Sequence, residues 1–244
     1  MDAQDKTRAI VIKSIRYGDS SLIVKLLTET DGLQSFLVKG AFSKTSKIRA
    51  ALFQPLTILD IVRTRSRSDL GFIREATVCH AFQSIPFEMN KNAIVMFVSE
   101  LLSKSIQDSE PDTELFGFVH DSLLYLDELT EKYADFPLKF AVELSRQLGF
   151  APNTNGFRNG YVFNLEDGCF HHDRTGLLYY IDSQLSEKFH SLCDSGFFDS
   201  KNLDIRNNER RELLEYVMTY YKLHVAGFNE MKSCEILRMV LSSI

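Results

Sequence analysis

The residues of this sequence best suited to chemistry are four basic side chains around one aromatic ring. Lys39, Lys44, Lys47 and Arg49 fall within eleven residues, with Phe42 among them and no acidic residue. Cationic side chains neutralise phosphates, and an exposed aromatic ring can stack on a base. This composition predicts a contact with nucleic acid. The alternative is a surface loop that its lysines merely keep soluble.

Three arginines at alternate positions form a second basic cluster. In an extended segment Arg63, Arg65 and Arg67 point to the same side, where they would contact a track of phosphates or keep a hairpin tip soluble. Tyr17 lies beside a Gly-Asp-Ser turn, and Phe42 also lies close to a turn. We predict that these two rings stack on bases, because neither is needed by the core face of a strand. Local packing of the rings is the alternative.

Catalytic and metal-binding patterns are absent from the sequence. The cysteines lie far apart and form no C-x-x-C pair, at Cys79, Cys169, Cys193 and Cys234. The segment from Cys169 to Asp173 supplies two ligands, whereas a structural zinc site needs about four. No phosphate-cradling glycine loop, G-x-S-x-G motif or H-E-x-x-H motif occurs. We therefore expect no enzyme activity, no cofactor and no bound metal.

Five apolar runs with short connections occupy roughly the first eighty residues. Asp31-Gly32 is typical of a tight hairpin turn, and Lys39-Gly40 starts a turn that leads into the basic loop. We predict strands at residues 8–15, 22–28, 33–38, 52–63 and 70–79. No amphipathic helix intervenes, so the pattern predicts a five-stranded OB-fold barrel, a fold that often binds single strands.

From residue 86 onward the apolar residues recur three and four positions apart, as they do in packed helices. The segments with this spacing are residues 93–106, 115–129, 136–148, 186–192, 209–225 and 232–241. Glycines and short β-like runs interrupt the helical pattern between Pro152 and Tyr180. Asn207 or Asn208 is the predicted N-cap of the longest helix.

These patterns predict an α+β chain of two domains. Residues 1–80 form the OB-fold barrel, and residues 81–244 form a helical bundle with a metal-free β-rich insert at about 152–182. The net charge of -5 is unevenly distributed: residues 1–75 hold thirteen Lys and Arg against eight Asp and Glu, and the remainder holds fifteen against twenty-five. This asymmetry favours polyanion binding by the N-terminal part.

The N-terminus has acids ahead of its bases and lacks the apolar stretch of a signal peptide. No run of about 18 apolar residues occurs anywhere in the sequence. We therefore expect a cytoplasmic protein that makes no membrane contact.

Several short motifs resemble those of RecO, the bacterial recombination-mediator family. They are Arg16-Tyr17-Gly18-Asp19, Thr28-x-x-x-Gly32, Val38-Lys39-Gly40-Ala41, Ser46-x-x-x-Ala50, Leu52-x-Gln54-Pro55, Tyr220-Tyr221-Lys222-Leu223-His224 and Lys232-Ser233. The resemblance covers the whole chain, with the best matches at its two ends.

This resemblance implies an N-terminal OB-fold, a C-terminal helical domain and no active site. Members of the family bind single- and double-stranded DNA and anneal strands coated with single-stranded-DNA-binding protein. They act with RecR to load RecA, so these proteins and DNA are the expected partners, and the nucleoid is the expected location. Many members carry a four-cysteine zinc insert. Here residues 152–156 lack the first cysteine pair, and Cys169 with His172 is at most a relic of the second.

The residues leave two other function classes open. A barrel of this kind could grip another protein, as an adapter with incidental DNA contact. It could also bind RNA, because translation and processing factors use OB-folds as well.

Overall fold

The computed structural model of the chain describes residues 4–43, 46–64, 70–107, 110–131, 133–199 and 203–241. The chain divides into two compact units, residues 1–128 and residues 129–244. The domain boundary predicted at residue 80 marks the end of the barrel, and the first unit continues through the next two helices.

Within the described residues, five strands close into a barrel in the order β1-β2-β3-β5-β4. They are β1 (Gln4–Tyr17), β2 (Ser21–Thr28), β3 (Gly32–Val38), β4 (Ile58–Thr64) and β5 (Leu70–Val78). Neighbouring strands are antiparallel except β3 and β5, and β1 closes the barrel by pairing with β4. This topology confirms the predicted OB-fold.

The barrel core follows the period of two that the sequence shows. Leu22, Val24 and Leu26 of β2 face inward and are 5% exposed or less, while the residues between them are partly exposed. The ring of Phe36 lies so close to β5 that a Cβ atom at Gly71 would come within 2.8 Å of it. A side chain at residue 71 would therefore displace that core ring.

The fourth predicted strand is wrong in its first half. Instead of a strand from residue 52, a short 3₁₀ helix spans Ala50–Phe53, and β4 begins at Ile58. Pro55 has no N–H to donate to a ladder, and Leu56 has a φ of 59°. Phe53 and Leu56 are nevertheless almost fully buried. Because these buried positions require apolar side chains, the segment has the apolar sequence of a strand although it does not form one.

Two helices, α1 (Met89–Ser105) and α2 (Thr113–Glu128), belong to the same unit as the barrel. The β1–β2 pairing has a bulge between Val11 and Lys13, which leaves Ile12 out of the regular ladder. The Ser99 hydroxyl of α1 donates to the Ile12 carbonyl at 2.8 Å. Helix α1 therefore packs on β1 and satisfies the carbonyl that the bulge releases.

The segment between β5 and α1 is fixed to the end of α2 by one carboxylate. Asp127 accepts hydrogen bonds from the backbone N–H groups of Gln83, Ser84 and Ile85 at 2.7 to 2.9 Å. Burial raises the pKa of Asp127, but these N–H groups favour the charged form and together hold its pKa below the ordinary value. The ammonium group of Lys91, which is fully buried, donates to the Ser84 hydroxyl at 2.5 Å.

The second unit combines helices with a small sheet, as predicted. Its elements are α3 (Phe136–Gln147), β6 (Val162–Asn164), β7 (Cys169–His171), β8 (Tyr180–Ile181), α4 (Ser183–Asp194), α5 (Asn207–His224) and α6 (Ser233–Leu241). β6 lies between β7 and β8. The predicted N-cap of α5, Asn207 or Asn208, is wrong, because the helix already begins at Asn207. The cap is Arg206, whose N–H donates to Glu209 at 2.7 Å.

Candidate nucleic-acid interface

The β1–β2 turn and the loop of residues 39–49 meet at one end of the barrel. The N–H of Phe42 donates to the Ser20 carbonyl at 3.2 Å. At the base of the loop, the N–H of Ala50 donates to the Ala41 carbonyl at 3.0 Å, and Ala41 is buried in the barrel core. The loop is thus anchored to the core at its base and joined to the neighbouring turn.

Both aromatic residues predicted to stack on bases lie in this region and face solvent. Tyr17, the last residue of β1, is 57% exposed, and Phe42 is 47% exposed. The guanidinium of Arg16 lies over the Phe42 ring, with its Cζ atom 5.0 Å from the ring centroid. Aromatic rings with this exposure have surface available for stacking.

The predicted basic residues of the loop are exposed wherever the structure describes them. Lys39, Lys47 and Arg49 all face solvent, while Lys44 lies outside the described residues. The ammonium group of Lys39 lies 4.9 Å from the centroid of the Phe72 ring on β5. Three exposed cationic residues therefore lie in the same loop as Phe42.

An apolar row on the outer face of the barrel continues from this end and was missed by the sequence reasoning. Strand pairing places Ile15 opposite Ile23, Ile23 opposite Leu37, and Leu37 opposite Phe72. Ile15 is 51% exposed, and the other members of the row are partly exposed. Strands lie about 4.8 Å apart, so the row is about 14 Å long.

Two lysines border this apolar row. Lys13 of β1 and Lys25 of β2 are direct partners across the strand pair, one step further along the strands. Their positions follow from strand register, which a single sequence does not specify. The sequence did contain one signal for them, the alternation of inward and outward positions in β1 and β2. Both lysines occupy outward positions, as do Ile15 and Ile23.

Arg63 has a different environment from the one predicted. Its side chain is 4% exposed, and its Nη2 donates to Asp5 at 3.0 Å, to Thr30 at 3.3 Å and to Asp31. A guanidinium enclosed by two carboxylates cannot reach a phosphate. The structure therefore does not support Arg63 as a DNA contact, and it assigns this side chain to joining β4, the start of β1 and the β2–β3 turn. Arg65 and Arg67 lie outside the described residues.

The face formed by β4, β5 and the start of β1 carries both signs of charge. The guanidinium of Arg8 donates to both carboxylate oxygens of Glu29, at 2.5 and 3.0 Å, and holds the pKa of that carboxyl below its usual value. Asp60 and Glu75 lie in the same surface depression. These acids make this face unfavourable for a polyanion, in contrast to the lysine-bordered row.

The cysteine and histidine cluster of the insert does not gather a ligand set within the part of the chain that the structure describes. Asn153 donates to the Cys169 sulfur at 3.8 Å, and His171 pairs with Asp167 at 2.7 Å. The side chain of His172 is 86% exposed. These contacts are local polar contacts of a β-hairpin.

Comparison with known proteins identifies the family. A family model described as "Recombination protein O N terminal" matches residues 1–82, and one described as "Recombination protein O C terminal" matches residues 86–233. The chain belongs to the recombination protein O family. This result confirms the resemblance seen in the short motifs and places the chain among DNA-binding proteins of repair and recombination.

Curated relatives align with the chain over almost its whole length. The DNA repair protein RecO of Flavobacterium psychrophilum is 36% identical, covering 98% of this chain and 100% of the relative. Those of Christiangramia forsetii and Bacteroides fragilis are 35% and 32% identical, each covering 96% of this chain and 98% and 97% of the relative. None of the helices within the described ranges has the length and apolar character needed to cross a membrane.

Proposed function

We propose that the protein is a non-enzymatic mediator of recombination that binds and anneals single-stranded DNA and, together with RecR, helps to load RecA. The observation that carries this proposal is the joined pair of loops at one end of the barrel. There Tyr17 and Phe42 expose their rings beside cationic side chains. A continuous apolar row leads away from them across the sheet.

The geometry suits a single strand with its bases turned toward the protein. Bases stack on the two rings and lie on the apolar row, which is about 14 Å long and so accommodates a few nucleotides. The phosphates face the cations that surround these surfaces. Among the residues that the structure describes, the proposed phosphate contacts are Lys13, Lys25, Lys39, Lys47 and Arg49. Lys44, Arg65 and Arg67 are further candidates from the sequence.

Annealing follows from the same electrostatics. Two complementary strands repel each other through their phosphates, and cations bound along one strand reduce that repulsion. A protein that also displaces single-stranded-DNA-binding protein, or contacts it, would bring coated strands within pairing distance. We infer that no reaction is catalysed, since the sequence contains neither a phosphate-cradling glycine loop nor a hydrolase motif. The nucleoid is the proposed site of action.

The proposal is tested by binding and annealing measurements on the intact protein. Fluorescence anisotropy would compare a labelled single-stranded DNA, the RNA of the same sequence and the DNA duplex at equal salt. We expect binding of single-stranded and duplex DNA, and faster annealing of complementary strands coated with single-stranded-DNA-binding protein. Preference for RNA would support an RNA-binding factor instead. Absence of binding to any nucleic acid would leave a protein-binding adapter.

A further inference from the structure

Arg16 makes two contacts at the end of β1, and neither was predicted from the sequence. Its Nη2 atom donates to the carbonyl of Asp19 at 3.0 Å, within the β1–β2 turn. Its guanidinium group also lies over the ring of Phe42, with Cζ 5.0 Å from the centroid. The first contact fixes the side chain to its own turn, and the second holds the ring of the neighbouring loop.

The remaining donors of Arg16 are available to a ligand. A guanidinium has five N–H donors in one plane. Among the residues that the structure describes, Arg16 makes no side-chain hydrogen bond other than the one to Asp19. The residue is exposed, and Phe42 keeps 47% of its surface exposed although the guanidinium lies over the ring. The pair therefore offers N–H groups at its edge and an aromatic surface beside them.

We propose that Arg16 contacts single-stranded DNA as one unit with Phe42, holding the ring for a stacked base and donating to the phosphate of the same strand. This inference rests on the proposed function, since it names a further residue of that DNA site. A planar, delocalised cation stacks on an aromatic ring and still donates from its edge. A lysine at residue 16 would supply the charge and lose the planar stack.

The test combines Arg16→Lys, Arg16→Ala, Phe42→Ala and the double variant Arg16→Lys/Phe42→Ala. Each intact protein would be titrated with a labelled thymidine oligonucleotide at several salt concentrations, and its thermal unfolding would be recorded. Lys6→Ala is the matched control, because Lys6 is an exposed lysine of β1 on the mixed-charge face. We expect it to leave affinity and salt dependence unchanged.

Arg16→Ala is expected to reduce the slope of log K against log[salt] by about 0.7, the value for one phosphate contact on a single strand. Arg16→Lys should keep the slope and weaken binding by about two- to fivefold, because an ammonium keeps the charge but cannot hold the ring by a planar stack. In the Phe42→Ala background the same lysine substitution should cost nothing further. This dependence on Phe42 distinguishes a coupled pair from two independent contacts.

Other outcomes overturn the inference. Wild-type affinity in Arg16→Lys, or an equal loss with and without Phe42, would show that the two side chains do not act together. An unchanged salt slope in Arg16→Ala would remove the phosphate contact. If Arg16→Ala unfolds at a lower temperature than the wild type, the salt slope is measured on Arg16→Gln instead, because glutamine keeps a planar group without charge. Failure of the wild type to bind any single strand would instead refute the proposed function itself.

Discussion

Replacing Arg63 should weaken the barrel and leave the salt dependence of DNA binding unchanged. The guanidinium contacts Asp5, Asp31 and Thr30 from a position that is 4% exposed. Removing it takes the central cation from a cluster that joins three segments of the barrel. A substitution at an exposed phosphate contact would have the opposite pattern, with stability retained and the salt slope reduced.

The size of the effect follows from the exposure of the partners. Removing one partner of a buried ion pair costs about 3–5 kcal/mol when the other charge stays buried. Here the carboxylates of Asp5 and Asp31 are 36% and 27% exposed, so water can solvate them and offset part of the lost ion pairing. We therefore expect about 3 kcal/mol for Arg63→Ala. Arg63→Met keeps the packing of the apolar stem and should cost about 1–2 kcal/mol.

Hydrogen exchange of the β1 and β4 amides is the suitable assay, because it reports the opening of the barrel separately from the second unit. The matched control is Arg74→Ala, an exposed arginine of β5 whose Nε donates to the Thr64 hydroxyl at 3.1 Å. Its expected cost is below about 1 kcal/mol. A structural role for Arg63 is refuted if Arg63→Met leaves the amide protection of the barrel intact while the salt slope for a single strand falls by about 0.7.

Three further predictions concern the basic loop, a buried carboxylate and a glycine. Lys47→Ala combined with Arg49→Ala should lower the single-strand salt slope by about 1.4, and an unchanged slope in salt titrations would remove the loop from the DNA path. The lowered pKa of Asp127 contributes stability above the unfolded pKa of about 3.9 that is lost as pH falls through the folded pKa. In urea titrations Asp127→Asn should therefore be less stable at neutral pH and lose less stability on acidification, and parallel pH profiles would contradict this. Gly168 has a φ of +68° and a tyrosine hydroxyl 2.8 Å from where a Cβ would lie, so Gly168→Ala should lower stability by about 1–3 kcal/mol. Gly196→Ala, whose Cβ would meet nothing closer than 3.7 Å, is its control in thermal melts.

The barrel could be predicted from the sequence because its signals are local. Alternating apolar residues and the Asp31-Gly32 turn specify neighbouring strands, and β2 and β3 match their predicted ranges within one residue. The error at the fourth strand has a local cause too. Burial of the 3₁₀ segment around Phe53 requires apolar residues whatever its backbone conformation, so the apolar run alone could not distinguish it from a strand.

The candidate site was predictable only where its residues are adjacent in sequence. The loop carrying Phe42 is visible as a cluster, and the structure exposes its described cations. The environment of Arg63 depends on Asp5 and Asp31, which lie 58 and 32 positions away, so no local pattern reveals it. The row that includes Ile15 depends likewise on the register between strands.

The bulge in β1 determines which fragments of the protein can be expressed in a monodisperse form. Ile10 and Ile12 are 0% and 1% exposed, yet neither belongs to the core cluster inside the barrel, and the Ile12 carbonyl accepts from the Ser99 hydroxyl of α1. A fragment that stops at residue 80 would place both isoleucines in water, at about 1.5–3 kcal/mol each, and leave an apolar patch that invites aggregation. The shortest expression fragment expected to remain monodisperse therefore extends to residue 128, with both helices of the first unit retained.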